Sequence, residues 1–212
     1  MSADRPDRGS AVQPGRPARL ARLVLATANP SKAAEIRAAL SGVDLQARPA
    51  SVPEVEETEA TLEGNATLKA RALRDATGEA ALADDTGLEI VALGGAPGVY
   101  SARWAGPEAT YADNVAKLLR EMEGRADRRA RFRSVLTIAY PDGSELSVEG
   151  TVEGLITTEA RGGSGFGYDP VFAPEGGGGR TFAEMDMAEK NSISHRGRAL
   201  AALADQLGIT NP

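Results

Sequence analysis

The chain's apolar positions form short runs separated by turn signals. Leu23-Val24-Leu25-Ala26 is an unbroken apolar run, which predicts a buried strand. Asn29-Pro30 then opens an alanine-rich stretch reaching Leu40. Asn suits a helix N-cap and Pro the first helical position, so a helix should follow the strand after one tight turn. Across residues 61–77, Leu62, Ala66, Leu73 and Ala76 can share one buried side of a second helix, with Gly78 as its terminator. Residues 80–83 read as another buried strand, ending at Asp84-Asp85, and residues 88–93 as a further apolar run before the turn-rich Gly94-Gly95-Ala96-Pro97-Gly98. Thr110 and Asp113 have the spacing of a variant capping box for a helix through Met122. Phe132, Val135, Leu136, Ile138 and Tyr140 predict a strand that turns at Pro141-Asp142-Gly143-Ser144 into a second one around Leu146 and Val148. Val171 and Phe172 resume a strand, and two helices close the chain; the last begins near Ser194 and carries Leu200, Leu203 and Leu207 on its buried side. Strands alternating with helices, then an antiparallel pair, indicate the α/β class with a mixed, elongated β-sheet flanked by helices.

Composition narrows the function classes. Of 212 residues, 42% are hydrophobic and 25% charged, ordinary for one globular domain, expected over residues 20–212. Residues 1–19 carry Pro6, Pro14 and Pro17 without apolar periodicity and read as a disordered tail. Cysteine is absent and histidine occurs once, which excludes a disulfide framework, a thiolate nucleophile and a multi-histidine metal site. A net charge of -6 argues against a nucleic-acid partner. The apolar run at residues 20–28 is broken by Arg22 and is too short for a membrane span, so no membrane partner and a cytoplasmic location are expected.

The candidate chemistry centres on Ala83-Asp84-Asp85-Thr86-Gly87. Two adjacent carboxylates near a buried run repel each other unless a cation or proton intervenes. A hard divalent ion such as Mg²⁺ would do so, usually completing its shell with water and substrate phosphates. The alternative is a polar strand end with Asp-Thr-Gly as an ordinary turn. The strand-to-helix turn Thr27-Ala28-Asn29-Pro30-Ser31-Lys32 would present backbone N–H groups and a lysine to an anion, although it lacks the glycines of a P-loop. Asn65 and Lys69 lie four apart on one helix face. Gly162-Gly163-Ser164-Gly165-Phe166-Gly167 should be a loop that a ligand can approach closely, with Phe166 offering a flat face to a base. Trp104 suits a core or subunit interface better than a cofactor platform.

Seven segments in order resemble the inosine/xanthosine triphosphate pyrophosphatases: the 27–32 turn, Glu56-Glu57-Thr58, Asn65-Ala66-Thr67-Leu68-Lys69-Ala70-Arg71, Ala83-Asp84-Asp85-Thr86-Gly87-Leu88, Gly95-Ala96-Pro97-Gly98-Val99-Tyr100-Ser101-Ala102-Arg103, Gly165-Phe166-Gly167-Tyr168-Asp169-Pro170 and Lys190-Asn191-Ser192-Ile193-Ser194-His195-Arg196-Gly197. The resemblance implies two lobes with the active-site cleft between them, and Mg²⁺-dependent cleavage of a purine nucleoside triphosphate between its α and β phosphates. It implies Asp85 as general base and metal contact, with Glu56 as the best match to the metal-binding glutamate and adjacent Glu57 as the alternative. Substrate contacts would come from Thr27, Ala28, Asn29, Pro30, Ser31, Lys32, Lys69, Thr86, Phe166, Gly167, Tyr168, Asp169, Lys190, His195 and Arg196. A homodimer is also implied, for which the apolar, turn-rich residues 95–104 could serve. Arg196 aimed at the keto oxygen of hypoxanthine or xanthine would be left unpaired against adenine. Glu59 and Gly64 depart from the pattern, in which glycine often follows Thr58 and glutamate precedes Asn65. Competing readings are a house-cleaning pyrophosphatase for other modified nucleotides, a phosphatase of the haloacid dehalogenase type, and a binding module that holds triphosphate uncleaved.

Overall fold

The computed structural model describes residues 22–209, so the expected tail at residues 1–19 lies outside the described residues. Strand β1 (Arg22–Leu25) buries Leu23, Val24 and Leu25. Helix α1 (Pro30–Ala39) starts as the Asn-Pro pair predicts, with the Asn29 side chain accepting from the N–H groups of Ser31 and Lys32 at 2.9 and 3.2 Å. A short strand, β2 (Asp44–Ala47), pairs parallel to β1; no apolar run in the sequence announced it. Helix α2 (Leu62–Thr77) is capped by Thr61 and stopped by Gly78 at φ +70°, a left-handed conformation that favours glycine. Leu62, Ala66 and Leu73 are buried as expected, but Ala76 is exposed, because the covered stripe runs through Asn65 and Ala70 instead.

The largest correction concerns the paired aspartates. Strand β3 (Ala81–Ile90) runs unbroken through Asp84-Asp85-Thr86-Gly87, so these residues are neither a strand end nor a turn. Gly87 is there for packing: a Cβ would lie 2.7 Å from the carbonyl oxygen of Gly98, where the two-residue strand β4 (Pro97–Gly98) crosses close. Residues 88–90 therefore continue β3, and only Val91–Leu93 turns, as a single 3-10 turn. The chain continues through α3 (Tyr111–Glu121), β5 (Arg129–Ala139), β6 (Glu145–Ile156), β7 (Phe172–Pro174), α4 (Met187–Ile193) and α5 (His195–Leu207). The Thr110/Asp113 capping box is present. Val171 belongs to a 3-10 turn ahead of β7.

The strand order is β2-β1-β3-β5-β6-β7, with β4 beside β3. β1 is parallel to its two neighbours and every other pairing is antiparallel, the mixed sheet expected. Its two largest hydrophobic cores mark two lobes. Leu23, Leu25, Ile36, Leu82, Leu136, Ile138, Leu200 and Leu203 form one; Leu88, Ile90, Leu118, Met122, Phe132, Val152, Phe172 and Phe182 form the other. The long strands β3 and β5 supply both, which ties the lobes together. Among the described residues no helix is long and apolar enough to cross a membrane.

Helix α5 lies directly on β6 at Gly150, where a Cβ would overlap the carbonyl oxygen of His195 and the amide nitrogen of Ala199. Backbone on both sides cannot yield as a side chain would. Gly150→Ala should therefore lower stability by about 3 kcal/mol, read as the urea midpoint. Gly163→Ala is the control, since no atom lies within 4 Å of its Cβ position and its φ is not positive; its midpoint should match the parent protein.

Candidate active site

The site forms where the sheet has a notch. β1 pairs with β3 only as far as Leu25 opposite Leu82, and β4 joins the same side of β3 at Leu88. Residues 83–87 thus have no strand neighbour on that side, while β5 holds them on the other. A strand turns successive side chains to opposite faces, so Asp84 and Asp85 diverge. Asp84 shares its face with Leu82, which packs in the α1/α5 core, and Asp85 shares its face with Ala81 and Ala83, which pack against α2.

Each carboxylate meets its own cations. Asp84, 4% exposed, lies 2.8 Å from Lys32 Nζ and 3.5 Å from an Arg196 nitrogen. Burial alone would raise its pKa, but Lys32, Arg196 and Lys69 outweigh it and hold the carboxyl well below the usual carboxylate range. Asp85, 5% exposed, accepts from Lys69 Nζ at 3.0 Å and Asn65 Nδ2 at 3.3 Å. Here burial prevails over Lys69, and with neighbouring Glu57 adding repulsion the carboxyl is pushed up to about 6. Lys69 also donates to Glu57 at 2.7 Å, and Arg103 donates to both the side chain and the backbone carbonyl of Glu57. Burial works against the charged Glu57, but these cations win and lower its pKa. Lys69, bonded to two carboxylates and near a third, has its pKa raised despite burial.

The notch opens into a cavity of about 660 Å³. Asn29, Lys32, Glu57, Lys69, Asp84 and Thr86 line it, as do Phe166, Gly167, Tyr168, Asp169, Lys190, His195 and Arg196; lysines pair with acids in the first group, and Lys190 lies against Phe166 and Asp169 in the second. Thr27 and Ala28 also reach the wall, whereas Pro30 and Ser31 do not, since they turn into the helix and the Ser31 N–H is taken by Asn29. Asp85 is itself absent from the wall and reaches it through Lys69. Glu56 borders the cavity but is exposed, while Glu57 is half-buried and turned toward Lys69 and Asp85. Of the two glutamates left open by the sequence, Glu57 is the one brought to Asp85. The departures at Glu59 and Gly64 compensate each other, because a Cβ at Gly64 would lie 2.7 Å from that of Glu59. The Glu59 N–H donates to Asn65 Oδ1 at 2.9 Å, which anchors the acidic loop on α2.

In the second group, Arg196 is 2% exposed. It donates to Glu35 Oε2 at 2.6 Å and Thr86 Oγ1 at 3.2 Å, and its Nε has no partner. Lys190 donates to Asp169 at 2.7 Å and sits 3.6 Å from Glu35. Asp169 has its pKa raised by burial in spite of Lys190, and it also accepts the Phe166 N–H at 2.9 Å. The Lys190 ammonium lies over the Phe166 ring, 4.7 Å from its centroid. His195 stacks on Phe132 at 4.5 Å. Burial first, then Arg196, Lys190 and Lys32, drive its pKa well below the ordinary value, so the imidazole is neutral, and its Nδ1 is buried without a partner. Tyr168 is buried and donates to the Ser101 carbonyl at 2.9 Å. Trp104 is half-buried beside Lys117 and does not line the cavity. Sequence reasoning assigned no role to Glu35, Arg103 or Tyr111; the spacing of Glu35 from Lys32, one turn along α1, was the available signal.

Among the described residues no three acidic or histidine side chains gather tightly enough to enclose a metal by themselves. Glu57 and Asp85 nevertheless supply hard oxygen donors beside the cavity, a set that suits Mg²⁺, an ion that takes one or two carboxylates and fills its shell with water and phosphate.

The Asp84 pairs stabilise the fold as well as the site. Asp84→Asn leaves Arg196 short of a buried counter-charge and should cost about 3 kcal/mol at neutral pH. Because the folded pKa of Asp84 lies below its unfolded value, the contribution is complete above about pH 4 and is lost as pH falls toward the folded value. Urea melts of both proteins should therefore converge on acidification.

The Ham1 family model matches residues 23–206. A Chlorobaculum tepidum protein named dITP/XTP pyrophosphatase is 49% identical over 209 residues, covering 88% of this chain and 92% of its own; a Rhodospirillum centenum protein of the same name is 51% identical over 188 residues, covering 85% and 92%. Among solved structures, a HAM1 protein from Coxiella burnetii superposes with a TM-score of 0.84 at 42% identity, covering 90% of this chain and all of that one. A dITP/XTP pyrophosphatase from Mycobacterium abscessus gives 0.69 at 44% identity, covering 86% and 97%. With the match spanning both lobes and the notch between them, this chain belongs to the Ham1 family.

Proposed function

We propose that this protein hydrolyses dITP, ITP and XTP to the nucleoside monophosphate and pyrophosphate, removing deaminated purine nucleotides from the precursor pool. The observation that carries the reading is the composition of the cavity wall, which has Lys32, Lys69 and Asp84 in one group of side chains and Phe166, His195 and Arg196 in another, with Asp85 held just behind the wall by Lys69. The first group has the cations a triphosphate needs; the second has a stacking face and a donor for a purine. The names of the relatives agree with it.

Asp85 is the general base in this scheme. It takes the proton of the water that attacks the α phosphorus, and its raised pKa makes it a better acceptor than an ordinary carboxylate. Lys69, already bonded to Asp85, shifts toward the phosphates and frees the carboxylate. Glu57 and Asp85 would hold Mg²⁺, which would supply neutralisation of charge on the phosphate oxygens. Thr86 and Lys32 hold the triphosphate. Glu35 and Asp84 fix the Arg196 guanidinium, a donor for the keto oxygen at position six that adenine's amino group leaves unpaired. The protein is further proposed to act in the cytoplasm as a homodimer joined through residues 95–104, near which Val91 and Tyr100 are more than half exposed. Light scattering should then give twice the 22.0 kDa chain mass.

Incubation with Mg²⁺ and inosine, xanthosine, adenosine or guanosine triphosphate, with pyrophosphate and orthophosphate quantified separately, tests the activity. Pyrophosphate from the inosine and xanthosine nucleotides is expected; orthophosphate, or nucleotide bound without product, overturns the reading in favour of a phosphatase or a binding module. Asp85→Asn should lower kcat by about 10²- to 10⁴-fold with nucleotide still bound. Glu57→Gln should raise the Mg²⁺ concentration for half-maximal rate by about tenfold or more, and Glu56→Gln should leave it unchanged. Protonation removes the base, so kcat/KM should fall as pH is lowered through about 6, the value to which burial pushes the Asp85 carboxyl.

A further inference from the structure

Tyr111 is the first residue of α3 and belongs to neither of the groupings that line the cavity, yet it touches both. Its hydroxyl accepts from Asn29 Nδ2 at 3.0 Å, and Asn29 caps the turn that carries Lys32. Its ring lies 6.1 Å from that of Phe166, tilted by 42°. It lines the cavity and is 48% exposed.

On the proposed reading, a nucleotide would lie with its phosphates near Lys32 and Lys69 and its base near Phe166. Covalent structure puts the sugar between them. A residue in contact with the phosphate turn on one side and the base platform on the other occupies that middle position. Both of its partners, an amide and an apolar ring, are uncharged, so its environment suits a neutral sugar better than phosphate. Because the Tyr111 oxygen accepts the Asn29 hydrogen bond, its own proton is free to donate. We infer that Tyr111 is a substrate-binding residue that contacts the sugar of the nucleoside triphosphate, with its ring against the sugar and its hydroxyl donating to a sugar oxygen.

Replacing Tyr111 should spare the helix, since Thr110 and Asp113 make the capping box between themselves. The test compares the parent protein with Tyr111→Phe and Tyr111→Ala in steady-state pyrophosphate release from inosine triphosphate, in equilibrium binding of that nucleotide, and in inhibition by inorganic tripolyphosphate, which has neither sugar nor base. KM and the dissociation constant should rise about threefold in Tyr111→Phe and about tenfold in Tyr111→Ala, with kcat within about twofold. The tripolyphosphate inhibition constant should not move. Unchanged nucleotide affinity in Tyr111→Ala overturns the inference. So does a parallel loss for tripolyphosphate, which would mean that Tyr111 acts only through Asn29 on the phosphate turn. If the parent protein releases no pyrophosphate, the enzyme reading fails, while the binding comparison still decides the sugar contact; if Tyr111→Ala does not fold, Tyr111→Phe decides it.

Discussion

Two neighbouring carboxylates can stand buried in the middle of a sheet only if something keeps them apart and something neutralises each. β3 does the first by turning Asp84 and Asp85 to opposite faces. The helices on those faces do the second, α1 and α5 with Lys32 and Arg196 for Asp84, α2 with Lys69 for Asp85. The same arrangement separates their chemistry. Asp84, surrounded by cations, stays ionised and structural, whereas Asp85, with Glu57 as a rival for Lys69, is held closer to neutrality. Identical side chains one residue apart thus acquire different properties from their environments alone.

The notch depends on strand lengths. β1 stops at Leu25 and β4 begins late on β3, so the edge at residues 83–87 is uncovered on one side. A longer β1 would pair with this stretch and fill the space where the cavity now opens. β5 runs along the full opposite side, which keeps the aspartates rigid while their outer side stays accessible. Rigidity on one side and access on the other are what a preorganised site requires.

Helix α5 makes the corresponding adjustment for the second group of cavity side chains. Gly150 lets its first turn rest on β6, and this carries His195 onto Phe132 and Arg196 to Glu35 and Asp84. Arg196 therefore links the two groups, with one nitrogen on a residue of α1 and another beside β3. Glu35 is shared between Arg196 and Lys190, so one buried carboxylate ties α1 to the consecutive helices α4 and α5, which are distant from it in sequence.

Much of this was legible in the sequence because it is local. The Asn-Pro start of α1, the Thr61 and Gly78 limits of α2, the Thr110/Asp113 box and the β5–β6 hairpin follow from backbone chemistry within a few residues. The order of motifs also sufficed to identify most of the residues that line the cavity. What failed was non-local. Asp-Thr-Gly has the composition of a turn, and only the close crossing of β4 explains the glycine within a continuous strand. β2 has no apolar run of its own because it lies at the sheet edge. The choice between Glu56 and Glu57 depends on which faces Lys69, and the place of Tyr111 depends on Asn29, a residue 82 positions away. Sequence by itself determined most of the elements and the chemical groups available, since capping, periodicity and side-chain type act over short range; tertiary structure decided the continuity of β3, the edge strand β2, and which carboxylate is paired and which is poised, since burial and counter-charge come from segments that only folding brings together.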